Sequence, residues 1–170
     1  DPGFRIIESN QKNKLQSLFK KESEDKYKHL NFWMPPSRWT ATIGPNYYGD
    51  YINSAMYKKS GTGSNKAEWT TQIQIPGFYE VFVYTSELPM MGWWRRGGEE
   101  KKTQYYTVKH DDGEEEISVE TGRGRQGWMT LGSFYFSQGE AKITLSDKGS
   151  ESNQIIFADA VKWVYTNNNK

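Results

Sequence analysis

The sequence contains no cysteine, which excludes disulfides, thiolate metal sites and thiol nucleophiles together. Histidine is almost as scarce: His29 lies in a polar N-terminal stretch and His110 beside a turn, and neither has the spacing of a paired metal site. Long apolar runs are missing too. Nothing approaches the roughly 20 residues that a membrane-spanning helix needs, so no membrane insertion is expected. Neither sign of charge is in excess. Twenty-two Lys and Arg against 21 Asp and Glu leave a formal net charge of +1, too small for a global pull toward nucleic acid. The chain opens at Asp1-Pro2-Gly3 without Met or a signal-like apolar segment, and is expected to be a piece of a longer protein.

What the sequence does contain is aromatic residues and glycine. Seven Trp, 11 Tyr and 8 Phe make up 15% of 170 residues that are otherwise strongly polar, and 16 Gly accompany them. Aromatic side chains suit half-buried pleated surfaces and glycines suit tight turns, so the composition favours a β-rich module with one core. Two parts are expected. Residues 1–31 read as a linker or short helix, with Leu15, Leu18 and Phe19 at helical spacing behind possible caps at Ser9 and Asn10. From residue 32 to 170 the texture becomes short alternating segments broken by Gly, Pro and Asn, the pattern of an all-β, antiparallel, jelly-roll-like β-sandwich.

Within that second part, the alternation of Trp69, Thr71, Ile73 and Ile75, followed by Pro76-Gly77 and the run Phe78 to Tyr84, predicts a hairpin. A second hairpin is predicted between 104–110 and 114–120 across Asp111-Asp112-Gly113, with Ile117 and Val119 inward. Further strands are expected at 54–58, at 128–136, at 141–145 with Ala141, Ile143 and Leu145 inward, and at 155–165. In the last of these, period-2 alternation puts Asp159 on one face with Phe157, Val161 and Trp163. A carboxylate among core neighbours needs donors, so Asp159 reads as a structural group satisfied by Tyr, Trp or backbone; the sharper alternatives are a catalytic acid or a metal ligand.

Ordered landmarks run through this region: Tyr47-Tyr48-Gly49 with Ser54-Ala55, Gly61-Thr62-Gly63, Trp69, Gly77-Phe78-Tyr79-Glu80-Val81, Tyr105 to Val108, Trp128 to Phe136 with Leu131-Gly132, and Ala158-Asp159-Ala160-Val161-Lys162. Over residues 32 to 165 they resemble the C-terminal module shared by golvesin-like proteins and bacterial xanthan lyases. The resemblance implies a non-catalytic β-sandwich accessory module, similar to carbohydrate-binding sandwiches, in a secreted, cell-surface or periplasmic bacterial protein.

Candidate binding residues follow from chemistry. Sugar recognition uses flat rings stacked on C–H faces, with planar donors to fix hydroxyls or carboxylates. The stretch 88–98 lacks strand alternation and carries Trp93, Trp94, Arg95 and Arg96, so it reads as a loop with exposed aromatics; packing under the loop and docking on a neighbouring domain are the other readings. Tyr47, Tyr48 and Tyr51 sit in another Gly-, Pro- and Asn-containing loop, and Arg123 and Arg125 lie between glycines before Trp128. Trp69 and Trp128 read as core. Gly61-Thr62-Gly63 precedes no helical pattern, so no phosphate-binding loop and no cofactor is expected. Asp111-Asp112-Gly113-Glu114 lacks the alternating ligands of a calcium loop, and no metal site is assigned. Acidic candidates such as Asp50, Glu68, Glu80 and Glu87 exist, yet nothing selects a catalytic pair. The expected function is therefore polysaccharide binding, the polymer being neutral or acidic. A module docking on an adjacent catalytic domain is the alternative, and a polysaccharide-cleaving enzyme the third.

Overall fold

The computed structural model describes residues 3–9, 30–31, 33–86, 102–122 and 124–166. The expected N-terminal helix or linker lies outside the described residues from residue 10 to 29. Eleven strands form among the described residues: β1 (Phe4–Ile7), β2 (Thr40–Ile43), β3 (Ser54–Lys59), β4 (Lys66–Ile73), β5 (Gly77–Thr85), β6 (Lys102–His110), β7 (Gly113–Thr121), β8 (Gly127–Phe136), β9 (Gly139–Gly149), β10 (Ile155–Ala158) and β11 (Val161–Thr166). They make a five-stranded sheet in the order β1-β4-β9-β6-β7 and two three-stranded sheets, β10-β3-β2 and β11-β5-β8. Neighbouring strands within all three sheets are antiparallel, so the fold is the expected all-β sandwich.

Alternation builds the main core. Ala67, Trp69 and Ile73 of β4, Ala141, Ile143 and Leu145 of β9, and Tyr106 and Val108 of β6 turn inward from the large sheet. They meet Tyr79, Val81 and Val83 of β5 and Leu131, Phe134 and Phe136 of β8 from the sheet opposite, with Ile156 and Ala158 of β10. A smaller cluster of Tyr47, Ala55, Tyr57, Ile155 and Phe157 covers the other face of β10 and β3. β10 is thus buried on both faces, which is why all four of its residues are apolar.

Two connections differ from the sequence pattern. β4 and β5 do not form a hairpin: β4 pairs with β1 and β9, while β5 pairs with β8 and β11. The corner at Ile75-Pro76-Gly77 carries the chain from one sheet to the other, tied by the Tyr79 hydroxyl, which donates to the Ile75 carbonyl at 2.8 Å. Both strands bury large residues against one core, and they do so from opposite walls. The run 155–165 likewise is not one strand. It breaks at Asp159-Ala160, so that β10 joins β3 and β11 joins β5. The break resets the alternation: Ala158 faces the main core, and so do Val161 and Trp163 three and five residues later. The hairpin β6–β7 forms as expected, closing at His110 opposite Gly113. β1 and β2 lie where the pattern shows no strand.

The two irregular ladders coincide with glycine landmarks. In β8, Val81 of β5 pairs with Gly132 but Phe82 pairs with Thr130, leaving Leu131 as an inserted residue. Gly132 has φ +137°, which a side chain tolerates poorly, and the bulge lets Leu131 and Phe134 both face the core. Between β6 and β9 the register jumps from Gln104 opposite Gly149 to Tyr106 opposite Leu145, and Asp147 sits in the jump, fully buried. Its carboxylate takes the Lys58 ammonium, the Gly63 N–H at 2.7 Å and the Asn65 side-chain amide at 2.8 Å. A Cβ on Gly61 would collide with that carboxylate. The Gly61 to Asn65 loop therefore does cradle an anion, and the anion is the chain's own Asp147.

Candidate binding face

β5 has large residues on both faces. With Tyr79, Val81 and Val83 inward, alternation sends Phe82 and Tyr84 outward. On β8, the alternation before the Gly132 bulge sends Met129 and Leu131 to the core side and Trp128 outward, opposite Tyr84. On β11, Lys162 lies opposite Phe82. The loop between β2 and β3 then lays Tyr48 over this face, with ring centroids 5.0 Å from Trp128 and 5.6 Å from Tyr84; Tyr84 and Trp128 are themselves 5.4 Å apart. The Lys162 ammonium stands 4.3 Å from the Trp128 ring and 4.8 Å from the Phe82 ring. No carboxylate among the described residues pairs with it. Three rings and a cation thus share the outer face of the β11-β5-β8 sheet, and the Tyr48 side of the cluster is 48% exposed. Further along the same face, Phe78 and Tyr135 form a second exposed pair at 5.4 Å.

Beneath the cluster lies Asp159, at the point where the chain changes sheets. Its carboxylate accepts the Ser86 hydroxyl at 2.8 Å and the Tyr48 backbone N–H at 3.2–3.3 Å to its two oxygens. Its carbonyl accepts the Trp69 indole N–H at 3.2 Å, and the next carbonyl, of Ala160, accepts the Tyr84 N–H at 2.8 Å. Burial pushes the Asp159 carboxyl up to about 7, against the pull of the Ser86 and Tyr48 hydrogen bonds. The other titratable groups that feel it are hydroxyls. Burial, with the Asp159 charge adding to it, raises Tyr106 and pushes Tyr47 up to about 12.

The structure separates the residues proposed from the sequence. Trp93, Trp94, Arg95, Arg96 and Arg123 lie outside the described residues. Tyr47 is buried, its ring against Phe157, so it faces the smaller core cluster and not a rim. Tyr48 belongs to the exposed cluster, and Tyr51 projects into solvent at 99% exposure. Arg125 is paired with Glu120 at 2.7 Å. Trp69 is in the main core, against Phe4 of β1. Trp128 is not buried in that core; the phase of β8 puts it on the outer face, among Tyr48, Tyr84 and Lys162. Tyr84, Phe82 and Lys162 were not singled out in the sequence, although a strand with large apolar residues at consecutive positions, as in 78–84, is a signal of two occupied faces. Among the described residues no group of three or more His, Asp or Glu is placed to hold a metal ion, and no described helix is long and apolar enough to cross a membrane.

Comparison with known proteins gives one family and one fold. No curated protein matches the chain significantly. Among solved structures, a xanthan lyase from Paenibacillus superposes with a TM-score of 0.60 over 96% of this chain, at 20% identity. That similarity shows a shared fold, and the chain spans only 13% of the lyase chain. The family profile of the golvesin C-terminal domain matches residues 29–165, a span that takes in β2 through to the penultimate residue of β11. By that match over most of its length, the chain belongs to the golvesin C-terminal domain family.

Proposed function

We propose that this chain is a non-catalytic accessory module that binds polysaccharide through the outer face of the β11-β5-β8 sheet. The observation that carries this reading is the Tyr48–Tyr84–Trp128 cluster on the outer face, with Tyr48 exposed, Tyr84 and Trp128 partly buried and the Lys162 ammonium against it. The exposed Tyr48 ring and the partly buried rings beside it suit the C–H faces of pyranose sugars, and Lys162 supplies donors for hydroxyls or carboxylates at their edge. Trp93, Trp94, Arg95 and Arg96, which lie outside the described residues, carry the same kinds of groups by sequence. In this reading the parent protein is secreted or surface-attached and bacterial, as the resemblance implies.

A docking module is the second reading, favoured by the small share, 13%, that the chain spans of the xanthan lyase it resembles. Affinity electrophoresis separates the two. The purified chain is run in native gels containing xanthan, alginate, a neutral β-glucan or no polymer. Binding predicts retardation by at least one polymer, lost in Trp128→Ala or Tyr84→Ala while the unfolding midpoint stays within a few degrees. A Trp93→Ala/Trp94→Ala variant run alongside reports on the 88–98 stretch. A chain that no polymer retards refutes sugar binding and leaves docking.

A further inference from the structure

The outer face of β5 does not end at the Tyr48–Tyr84–Trp128 cluster. Alternation also turns Phe82, Glu80 and Phe78 outward, each flanked by β11 on one side and β8 on the other. Phe82 lies between Lys162 and Thr130, Glu80 between Val164 and Ser133, and Phe78 between Thr166 and Tyr135. In the last row Phe78 and Tyr135 are both exposed, with their rings 5.4 Å apart and edge to face. The core is not what holds them there: Tyr79 and Phe134, their neighbours in sequence, fill it from the other face. Six residues of extended strand separate Phe78 from Tyr84, which sets the two ring clusters ~20 Å apart on one side of one sheet. Between them stand Lys162 and the exposed polar side chains of Thr130, Ser133 and Glu80, with Val164 at the β11 edge.

We propose that the two clusters are the ends of one site, and that its ligand is an uncharged, extended polysaccharide chain lying along β5, stacked on rings at both ends and hydrogen-bonded between them. This rests on the sugar-binding reading and narrows it in length and in charge. A single sugar unit reaches one cluster, and only a chain several units long reaches both. Once one end of such a chain is stacked, the second contact is intramolecular, so the two together bind far more tightly than either alone. Charge along the face does not favour a polyanion. Lys162 is opposed by Glu80 one row on, and by Asp111, whose N–H donates to the Tyr135 carbonyl at 3.2 Å. A neutral polymer offers hydroxyls instead, for which Lys162 is a donor, Glu80 an acceptor, and Thr130 and Ser133 either. A protein interface has the opposite plan, an apolar centre inside a polar rim. Here the rings stand at the ends and the polar groups in the middle, which suits a ligand with C–H faces at intervals and hydroxyls along its edges.

The test uses the full chain in native gels that hold a neutral β-glucan, a neutral β-mannan or alginate, followed by calorimetry with the disaccharide and hexasaccharide of the neutral polymer that retards it most. Retardation by a neutral polymer is expected, and it should persist from about 0.05 to about 0.5 M salt, where exposed charges are screened. The hexasaccharide should bind at least about tenfold more tightly than the disaccharide. Phe78→Ala/Tyr135→Ala should abolish most of that advantage and weaken polymer binding by about tenfold or more, as Trp128→Ala does from the other end. If the double variant fails to fold, the exposed Tyr135→Ser alone is read in the same way. Polymer binding that is lost in Trp128→Ala but unchanged without Phe78 and Tyr135 leaves a one-cluster sugar site and overturns the proposal. Equal affinity for disaccharide and hexasaccharide overturns it too, and so does retardation by alginate alone that salt removes; in both cases sugar binding itself stands. A chain that none of the three polymers retards sinks the two-cluster site and the sugar reading together.

Discussion

The buried Lys58–Asp147 pair offers the largest stability effect that the structure allows to be worked out. Lys58 is 2% exposed and Asp147 0%, so both charges depend on each other and on the surrounding donors. Burial alone would raise the Asp147 carboxyl, but Lys58, Asn65 and the Gly63 N–H outweigh it and hold the group below the ordinary carboxylate value. Asp147→Asn turns one of those acceptor oxygens into an NH2 that faces the Lys58 ammonium or the Asn65 amide, leaving a buried cation without its counter-charge. Removing one partner of such a pair costs about 3–5 kcal/mol, on the order of 10 °C in Tm for a domain of this size. Lys58→Met leaves Asp147 with its amide donors and should cost less, about 2–3 kcal/mol. In the double variant the stranded ammonium is gone, so the loss should fall short of the sum of the singles by about 2 kcal/mol. Urea unfolding at pH 7, with midpoint and slope fitted separately, measures all four proteins. Additivity within about 0.5 kcal/mol, or an Asp147→Asn cost under about 1 kcal/mol, would refute the account of a coupled buried pair.

Three further outcomes follow from the same structure. Because the folded state binds a proton on Asp159 more tightly than the unfolded chain does, stability should fall as pH rises from about 4 to about 7, by at most about 4 kcal/mol. Asp159→Asn should flatten that stretch of the urea-midpoint curve, and parallel curves for the two proteins would contradict it. Asp147 acts in a separate window and with opposite sign: its stabilisation is present above about pH 4 and lost as the pH falls further. At the β8 bulge, Gly132→Ala should cost about 1–3 kcal/mol, since φ is +137° and the new Cβ would come within 3.0 Å of the Phe134 ring; thermal unfolding checks it, and a Tm within 1 °C of the native chain would show that the bulge relaxes freely.

The fold was legible in the sequence wherever a partner lay nearby in the chain. The β6–β7 hairpin closes where Asp111-Asp112-Gly113 says it should, and Ala141, Ile143 and Leu145 turn inward as their spacing requires. What stayed hidden was set at long range. A Pro-Gly corner between two alternating runs serves a hairpin and a sheet-to-sheet crossing equally well, and only the partners of β4 and β5, namely β1, β9, β8 and β11, decide between them. The run through Asp159 alternates well enough to pass for one strand because nothing local marks that its halves join different sheets. The binding face was half legible for the same reason. Tyr48 and Asp159 stand out by type and context and Tyr84 follows from the alternation of β5, whereas the outward direction of Trp128 and Lys162 depends on the Gly132 bulge and on the break at Asp159-Ala160, both of which reset the phase of the alternation.

The two buried aspartates show what separates a structural carboxylate from one held in reserve. Asp147 is surrounded by an ammonium, a side-chain amide and backbone N–H groups, enough donors to overcome its burial, and the Gly61 to Asn65 loop is shaped around it. Asp159 receives one hydroxyl and one backbone N–H shared between its oxygens, too few to overcome burial, so its ionised form weakens the fold near neutral pH. An apolar residue, or a carboxylate compensated like Asp147, would serve the junction between β10 and β11 better if holding the fold were its only task. Under-compensated groups that persist tend to sit at sites where stability is given up for another purpose. Asp159 accepts the backbone N–H of Tyr48, one residue of the aromatic cluster, and this contact is the argument for reading its incomplete set of partners as part of the binding face and not as a flaw in the core.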